Sequence, residues 1–312
     1  MLKKGLVSFL ILTMILLVAC SNKEEKNDQA KEDSITIEHA MGKTKVPKNP
    51  KKVVILTNEG TEALLALGIK PIGAVQSWTG DPWYDHIKED MEGVEVVGTE
   101  SQVNLEKIAS LKPDLIIGNK MRQEDLYEKL NAIAPTVFSE TLRGNWQINF
   151  ELYAKAVNQE EKGKELLDEI SNRMEEIRNN IGDRINDKVS VVRFLAGDVR
   201  IYHKDSFSGF ILDQIGFQRP ESQNVDDFAE MNVTKERIPA MDGDILFYFT
   251  YEQGDGEATK VEEEWINDPL FKQLNVAKQG KVYKVDDTIW NTAGGIIAAN
   301  LLLDDIEKYF KE

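Results

Sequence analysis

Two stretches of the chain follow one pattern: LEKIASLKPDLIIG at 105–118 and KERIPAMDGDILFY at 235–248. In each, a glutamate (Glu106, Glu236) opens an amphipathic helix of about two turns, and an aspartate eight residues on (Asp114, Asp244) leads into an apolar strand. The separation between the copies is the same at both landmarks. A helix-then-strand unit of this size cannot bury its own apolar face. A spaced pair of them therefore predicts two lobes of similar build, each carrying one acidic residue at a matching place.

Around both copies the chain alternates strand and helix. KKVVILTNEGTEALLALGIKPIGAV gives a β-branched run (Val53 to Leu56), a loop, a helical pattern (Ala63, Leu64, Leu67), a stop at Gly68 and a second strand (Pro71 to Val75). That is the signature of a parallel βαβ unit. A strand from Asp114 to Gly118, a helix from Glu124 to Ile133 and a strand from Pro135 to Phe138 complete a first lobe expected over 35–147. Residues 148–182 contain no proline and place Leu152, Ala156, Leu166, Ile170, Met174 and Ile177 at helical spacing, with Asn158 and Gly163 as local breaking points. A stiff helix packed on two lobes limits them to small relative motions. The second lobe, 183–312, opens with KVSVVRFLAGDVRIYHKD, read as a β-hairpin turning at Gly197-Asp198. A helix from Phe207 to Ile215, a strand from Ile245 to Thr250, a helix through Trp265 to Leu274, a strand from Val282 to Val285 and a last helix from Ile296 to Phe310 follow. The expected class is α/β, with two Rossmann-like lobes joined by a long interlobe α-helix.

The chain begins MLKKGLVSFLILTMILLVAC. Two lysines precede an apolar run, Leu6 to Ala19, shorter than the roughly 20 residues of a membrane-spanning helix, so 1–19 reads as a secretory signal. Cys20 is the only cysteine, which leaves no partner for an internal disulfide. LVAC followed by Ser21 resembles the bacterial lipoprotein box, which implies lipidation of Cys20 and anchoring at the extracytoplasmic face of the cell membrane. The stretch 20–34 is too polar to fold and reads as a tether. Removing Lys3 and Lys4 takes the formal net charge from −16 to −18, which argues against nucleic acid and anionic membrane surfaces as general partners.

Ligands of parallel α/β sheets gather where loops leave the carboxyl ends of strands. Those positions carry Trp78, then Lys120 and Arg122, then Arg143 and Trp146 in the first lobe. In the second they carry Tyr248 and Tyr251 on or just past one strand and Trp290 beyond another. The hairpin sharpens the expectation. A two-residue Gly197-Asp198 turn pairs Arg193 with Tyr202 and Leu195 with Arg200, so Arg193, Arg200 and Tyr202 share one face while Phe194, Ile201 and His203 share the other. Two guanidinium groups beside a tyrosine make an anion site, because their donors are fixed and permanently charged. A plainer account sits beside this one: arginines in so acidic a chain find local carboxylates, and tryptophans after strands often pack into the core.

Enzymatic signatures are missing. His39, His86 and His203 stand far apart without HxH or HExxH spacing, which speaks against a histidine metal cage, and no GxSxG, P-loop or helix-opening GxGxxG occurs. The expectation is a binding module rather than an enzyme, with no resident cofactor and no metal-ligand set.

The lipobox, VPKNPKKVVIL, TEALLALGIKPIGA, NLEKIASLKPDLIIG, the interlobe helix, DPLFKQLNVAKQGKVYKVD and GGIIAANLLLDDI together resemble the class III substrate-binding proteins of ABC importers, over nearly the whole chain from Cys20. The resemblance implies the class III periplasmic-binding-protein fold, a monomeric receptor, and a ligand drawn from ferric siderophores, haem and cobalamin. It also implies that one surface glutamate per lobe, here Glu106 and Glu236, docks on arginines of the two permease subunits. A glutamate in the first turn of a helix has a local use as well, worth about 0.3–1 kcal/mol through the macrodipole. Within the family, basic clusters suit anionic complexes. Arg122, Arg143, Arg193 and Arg200, with Lys120 nearby, therefore favour an anionic ferric siderophore, in which the siderophore supplies all iron ligands; VVRF...VRIY resembles the branch for citrate-containing siderophores, which implies a citrate-based hydroxamate or carboxylate type. Catecholate siderophores, haem and cobalamin stay open, since Tyr248, Tyr251 and His203 offer axial ligands for haem.

Overall fold

A computed structural model describes residues 33–310. The signal 1–19, Cys20 and the tether as far as residue 32 lie outside the described residues. Among the described residues no helix is long and apolar enough to cross a membrane.

A hairpin that the sequence reading did not anticipate, β1 (Ser34–His39) and β2 (Gly42–Pro47), comes first and is tied to the first lobe where the Ala40 amide donates to the Phe138 carbonyl at 3.0 Å. The first lobe is a fully parallel sheet of β3 (Val53–Ile55), β4 (Gly73–Ala74), β5 (Glu95–Val96), β6 (Leu115–Asn119) and β7 (Thr136–Ser139), in the order β5-β4-β3-β6-β7. The second lobe is built from β8 (Val189–Leu195), β9 (Asp198–Tyr202), β10 (Ala229–Glu230), β11 (Ile245–Tyr251) and β12 (Val282–Lys284), ordered β10-β9-β8-β11-β12. Here β8, β11 and β12 run parallel, and β9 is antiparallel to β8. In each sheet the first strand in chain order, β3 or β8, is the one from which the chain departs to both sides. A crevice therefore opens at its carboxyl end.

The principal helices are α1 (Asn58–Ala66), α2 (Leu105–Leu111), α3 (Trp146–Ala156), α4 (Glu160–Ile181), α5 (Phe207–Ile215), α6 (Glu257–Ile266) and α7 (Ile296–Phe310). The repeat is physical. Glu106 and Glu236 each lie exposed in the first turn of a helical segment, with Ile108 and Ile238 buried beneath them. The Asp114 carboxylate accepts the Lys51 and Lys52 amides at 2.8 and 3.0 Å, and Asp244 accepts the Lys188 amide at 2.8 Å, so both aspartates clamp the chain as it enters the neighbouring strand. The copies differ in winding: the first is α-helical, whereas Pro239 holds Lys235–Met241 in a 3-10 helix.

The single interlobe helix expected over 148–182 is two helices. The chain breaks after α3, where Asn158 takes φ 58, and α4 then runs 22 residues, about 33 Å. Gly163 is no break. It lets α4 approach α3 so closely that a Cβ there would stand 2.6 Å from the Ala154 Cβ. The helix expected over Glu124 to Ile133 is likewise divided, with a 3-10 turn (Glu124–Leu126) before Tyr127–Asn131, and the one through Trp265 to Leu274 is interrupted ahead of Pro269. Along α4 the buried positions Leu167, Ile170, Met174 and Ile177 form one stripe. That stripe belongs to a continuous core with Val53 and Ile55 of the first sheet and Val189, Val191 and Phe247 of the second.

Polar contacts reinforce this link. The fully buried Glu62 of α1 accepts the Ala298 amide at the start of α7 at 2.9 Å, and its other oxygen lies 2.5 Å from His86 Nε2. Gly295 is required there, because a Cβ would meet Glu62 Oε2 at 2.6 Å. The Tyr84 hydroxyl donates to the Thr292 carbonyl at 3.1 Å. The lobes are thus joined by shared core as well as by chain, which favours small adjustments over wide hinging.

Candidate functional site

Between the carboxyl ends of the two sheets lies a cleft of about 530 Å³, within the usual size of small-molecule sites. The first lobe lines it with Trp78 after β4, Glu100 after β5, Arg122 after β6, Arg143 after β7 and Glu59 from the first turn of α1. The second lobe contributes Arg193 from β8, Arg200 from β9, Tyr251 from the end of β11, and Phe207 and Phe228.

The hairpin delivers two of the arginines, through a register the sequence reading placed differently. Arg193 pairs with Arg200 and Leu195 with Asp198, so the turn is Ala196-Gly197, with Gly197 at φ 73. The register is displaced by two residues in the pairing. Because side chains alternate with period two, a displacement of that size leaves every residue on its expected face. Val192, Phe194, Val199 and Ile201 pack in the outer core, while Arg193 and Arg200 line the cleft. Tyr202 shares their side of the sheet but is fully buried; its hydroxyl accepts from Arg193 Nη1 at 3.2 Å, which makes it a support for Arg193 rather than part of the wall.

Arg193 is 6 % exposed and held by Asp287, Nε to Oδ1 at 2.6 Å and Nη2 to Oδ2 at 3.0 Å, with its guanidinium 4.8 Å from the Tyr251 ring centre. Burial works against its charge, but the Tyr202 oxygen and the Asp287 carboxylate more than reverse that, so the group stays a cation. Arg200 Nε donates to Asp198 at 2.7 Å. Arg122 lies 5.8 Å from the Trp78 ring centre, with Nε 3.5 Å from Glu100. Arg143 stacks on Phe228 of the other lobe at 4.9 Å and, among the described residues, has no carboxylate partner. Both sequence accounts of the arginines therefore apply at once: three are locally paired, and all four line the cleft.

Four other candidates lie elsewhere. Trp146 and Trp290 are 2 % and 0 % exposed. Trp146 packs against Phe150 and Phe207, and Trp290 packs on Phe247 while its indole donates to Asp305 at 2.9 Å. Each follows a strand, but the loop turns the ring back into the core, where so large an apolar surface is better placed. Tyr248 falls on the outer face of β11 by strict alternation with Phe247 and Phe249, and its hydroxyl donates to Glu262 at 3.4 Å. Lys120 turns to Glu140 at 2.9 Å, beside the cleft and not in its lining. His203 is buried against Asp227, leaving Tyr251 as the one offered haem ligand that lines the cleft.

The sequence reading missed Glu59 and Glu100. Glu59 follows the carboxyl end of β3, so the strand-end rule, applied to the first strand as well as to later ones, reaches it. Glu100 follows β5, a two-residue strand too short to show a periodic pattern, and Phe228 sits in an irregular segment with no sequence signal. Glu59 is 8 % exposed, and burial, opposed by hydrogen bonds from Tyr153 and Asn149 and added to by the Glu100 and Glu62 carboxylates, pushes its pKa up to about 8. Glu100 is also raised by burial, against the Asn58 donors and Arg122. Among the described residues no group of three or more His, Cys, Asp or Glu side chains is placed to hold a metal ion.

Comparison with known proteins gives this architecture a family. A model for the periplasmic binding protein family matches residues 53–288. The chain is 54 % identical over 311 residues to the probable siderophore-binding lipoprotein YfiY of Bacillus subtilis, covering 97 % of this chain and 96 % of that one. It is 31 % identical to the Fe(3+)-citrate-binding protein YfmC of the same organism, over 97 % and 96 % of the two chains. Among solved structures, Staphylococcus aureus SirA complexed with staphyloferrin B superposes with a TM-score of 0.83 at 34 % identity, covering 88 % of this chain and 98 % of that one. Two α/β lobes bridged by a helix, a cleft at their strand ends and this sequence similarity lead to one assignment: the chain belongs to the periplasmic binding protein family, in its class III form.

Proposed function

We propose that this protein is a lipid-anchored receptor on the extracytoplasmic face of the cell membrane. It holds an anionic ferric siderophore in the interlobe cleft and delivers it as a monomer to an ABC permease. It acts as a binding protein, not an enzyme: the siderophore supplies the iron ligands, and the cleft supplies charge, hydrogen bonds and an aromatic surface. The observation that carries this reading is the pair Arg193 and Arg200, directly opposed on one hairpin face and lining the cleft with Arg122 and Arg143. Guanidinium groups oriented by carboxylates are preorganised for a polyanionic oxygen ligand. The relatives support the same class, since their names and complexes carry a siderophore, ferric citrate and staphyloferrin B. Within that class the likeness of VVRF...VRIY to the citrate branch, together with the ferric citrate and staphyloferrin B carried by the relatives, favours a citrate-based hydroxamate or carboxylate siderophore over a catecholate one. Haem is the second reading, carried by Tyr251 in the cleft wall.

Titrating intrinsic fluorescence with ferric citrate, a ferric citrate-hydroxamate, a ferric catecholate, haem and cobalamin tests this reading. The expected result is saturable quenching by the citrate-type complexes at micromolar or lower concentration, with Trp78 as the reporting side chain. Preference for haem or cobalamin, or no response to any ferric complex, overturns it. Arg143→Ala gives a clean second test, because Arg143 is exposed and its removal orphans no carboxylate among the described residues. A hydrogen bond from a charged donor is worth about 1.5–3 kcal/mol, so affinity for the anionic complex is expected to fall about tenfold to a hundredfold.

A further inference from the structure

The arginines face a cleft wall that also contains two buried carboxyl groups, an unexpected arrangement in a site for an anion. Their surroundings differ. Glu100 has charged and backbone support: Oε1 accepts the Asn58 amide and Asn58 Nδ2 at 2.7 and 2.8 Å, and Oε2 lies 3.5 Å from Arg122 Nε. Glu59 has neutral donors alone, and both reach the same atom. Oε1 accepts from Asn149 Nδ2 and from the Tyr153 hydroxyl, each at 2.8 Å. The orientation of Asn149 is fixed independently, because the same nitrogen also donates to the Thr141 carbonyl at 2.7 Å. Among the described residues Oε2 of Glu59 takes no hydrogen bond, and it is not among their buried polar atoms lacking a partner. Since Glu59 lines the cleft, Oε2 is the oxygen open to it.

Two neighbouring carboxyl groups in a low-dielectric wall divide the proton according to their partners. Glu100, beside a cation, is the one that ionises. Glu59 keeps its proton, and with Oε1 already accepting twice, the proton resides on Oε2. We propose that Glu59 is a specificity-determining hydrogen-bond donor, holding a proton on Oε2 and directing it at an anionic oxygen of the bound ferric siderophore. This rests on the functional reading above and deepens it: the cleft wall reads its ligand as an acceptor on both sides, with guanidinium groups in one place and a neutral acid in the other.

The titratable and charged groups around Glu59 are Glu62 on its own helix, paired with His86; Glu100 and Tyr84 from the segments after β5 and β4; Tyr153 from α3; and Arg122, Arg143, Arg193 and Arg200 around the cleft. An anionic ligand placed against Glu59 raises the affinity of its carboxyl for a proton still further. The free protein has this group near half-protonation at a pH of about 8. Full affinity is therefore present below that pH and declines as pH rises through it, by up to about tenfold per pH unit, with proton uptake on binding.

Calorimetric titration of the full protein with a ferric citrate-hydroxamate at pH 8.5, in two buffers of different ionisation enthalpy, counts that proton. Wild type is expected to take up between about half and three quarters of a proton per complex. E59Q presents an amide donor at the same place without a titrating group; it is expected to take up that much less and to bind at least about threefold more tightly than wild type at pH 9. E59A, with no donor, is expected to be weaker than E59Q at every pH. Equal proton uptake by wild type and E59Q, or equal affinity of E59A and E59Q, overturns the proposal while leaving the functional reading in place. A wild-type protein that binds no ferric chelate at any pH removes both. A ligand-free control reads protonation directly: if Glu59 holds its proton as described, E59Q gains thermal stability relative to wild type as pH rises from 5 to 8, and a constant difference across that range also overturns the assignment.

Discussion

Replacing Glu106 and Glu236 together by alanine is expected to abolish uptake of the ferric complex by cells while leaving its affinity for the purified protein unchanged. Both side chains are exposed, and neither enters a salt bridge among the described residues. Their local value is small, a favourable charge at an exposed helix start, and hydrogen bonds from Thr234 and its own backbone amide hold the Glu236 carboxyl below its usual range. Folding and the cleft should tolerate both changes. If each carboxylate docks on a permease arginine, truncating it costs about 2–5 kcal/mol, and losing both weakens docking by about a thousandfold or more. Uptake of a radiolabelled ferric siderophore, measured beside fluorescence titration of the same variant, separates the outcomes. Uptake at the wild-type rate would reduce both residues to helix-end charges. Each glutamate opens the helical segment that leads to a chain-clamping aspartate eight residues on, in the same place on either lobe.

The second large effect is at Asp287. Asp287→Ala removes the bidentate partner of a guanidinium that is 6 % exposed, leaving Arg193 charged and supported by the Tyr202 hydroxyl. An unpaired buried cation is destabilising by about 3–5 kcal/mol, which for a chain of this size lowers the melting temperature by roughly 10 °C. Affinity for the anionic complex should fall as well, because Arg193 loses the carboxylate that orients it. Asp287→Asn retains one acceptor and should fall between the two. Differential scanning calorimetry and chelate titration on the three proteins check this ordering. A melting temperature for Asp287→Ala within about 2 °C of wild type would show that Arg193 reaches water on losing its partner, and that its position in the cleft is not set by the ion pair.

Much of the molecule was legible from residues alone because its signals are periodic. The runs VVIL, LIIG, VSVVRFL and ILFYFT name the central strands, helices Phe207–Ile215 and Ile296–Phe310 are placed to the residue, and the repeated Glu and Asp announce two lobes. The hairpin shows why a wrong register still gave the right wall. The turn was misplaced, but strand side chains have only two faces, and a displacement by an even number cannot exchange them.

The cleft itself was less legible. Position after a strand is shared by residues that turn toward the crevice and by residues that turn back, and sequence does not distinguish Trp78, half-buried at the wall, from Trp146 and Trp290 in the core. Local sequence determined the two lobes, the alternating strands and the face on which the arginines stand, because those properties follow from periods of two and 3.6 residues along one segment. Tertiary structure alone decided that Asp287, ninety-four residues away in sequence, orients Arg193, and that Glu59 meets Asn149 and Tyr153 on one oxygen and the cleft on the other. Burial and charge pairing between distant segments set those properties, and neither leaves a pattern in the segments themselves.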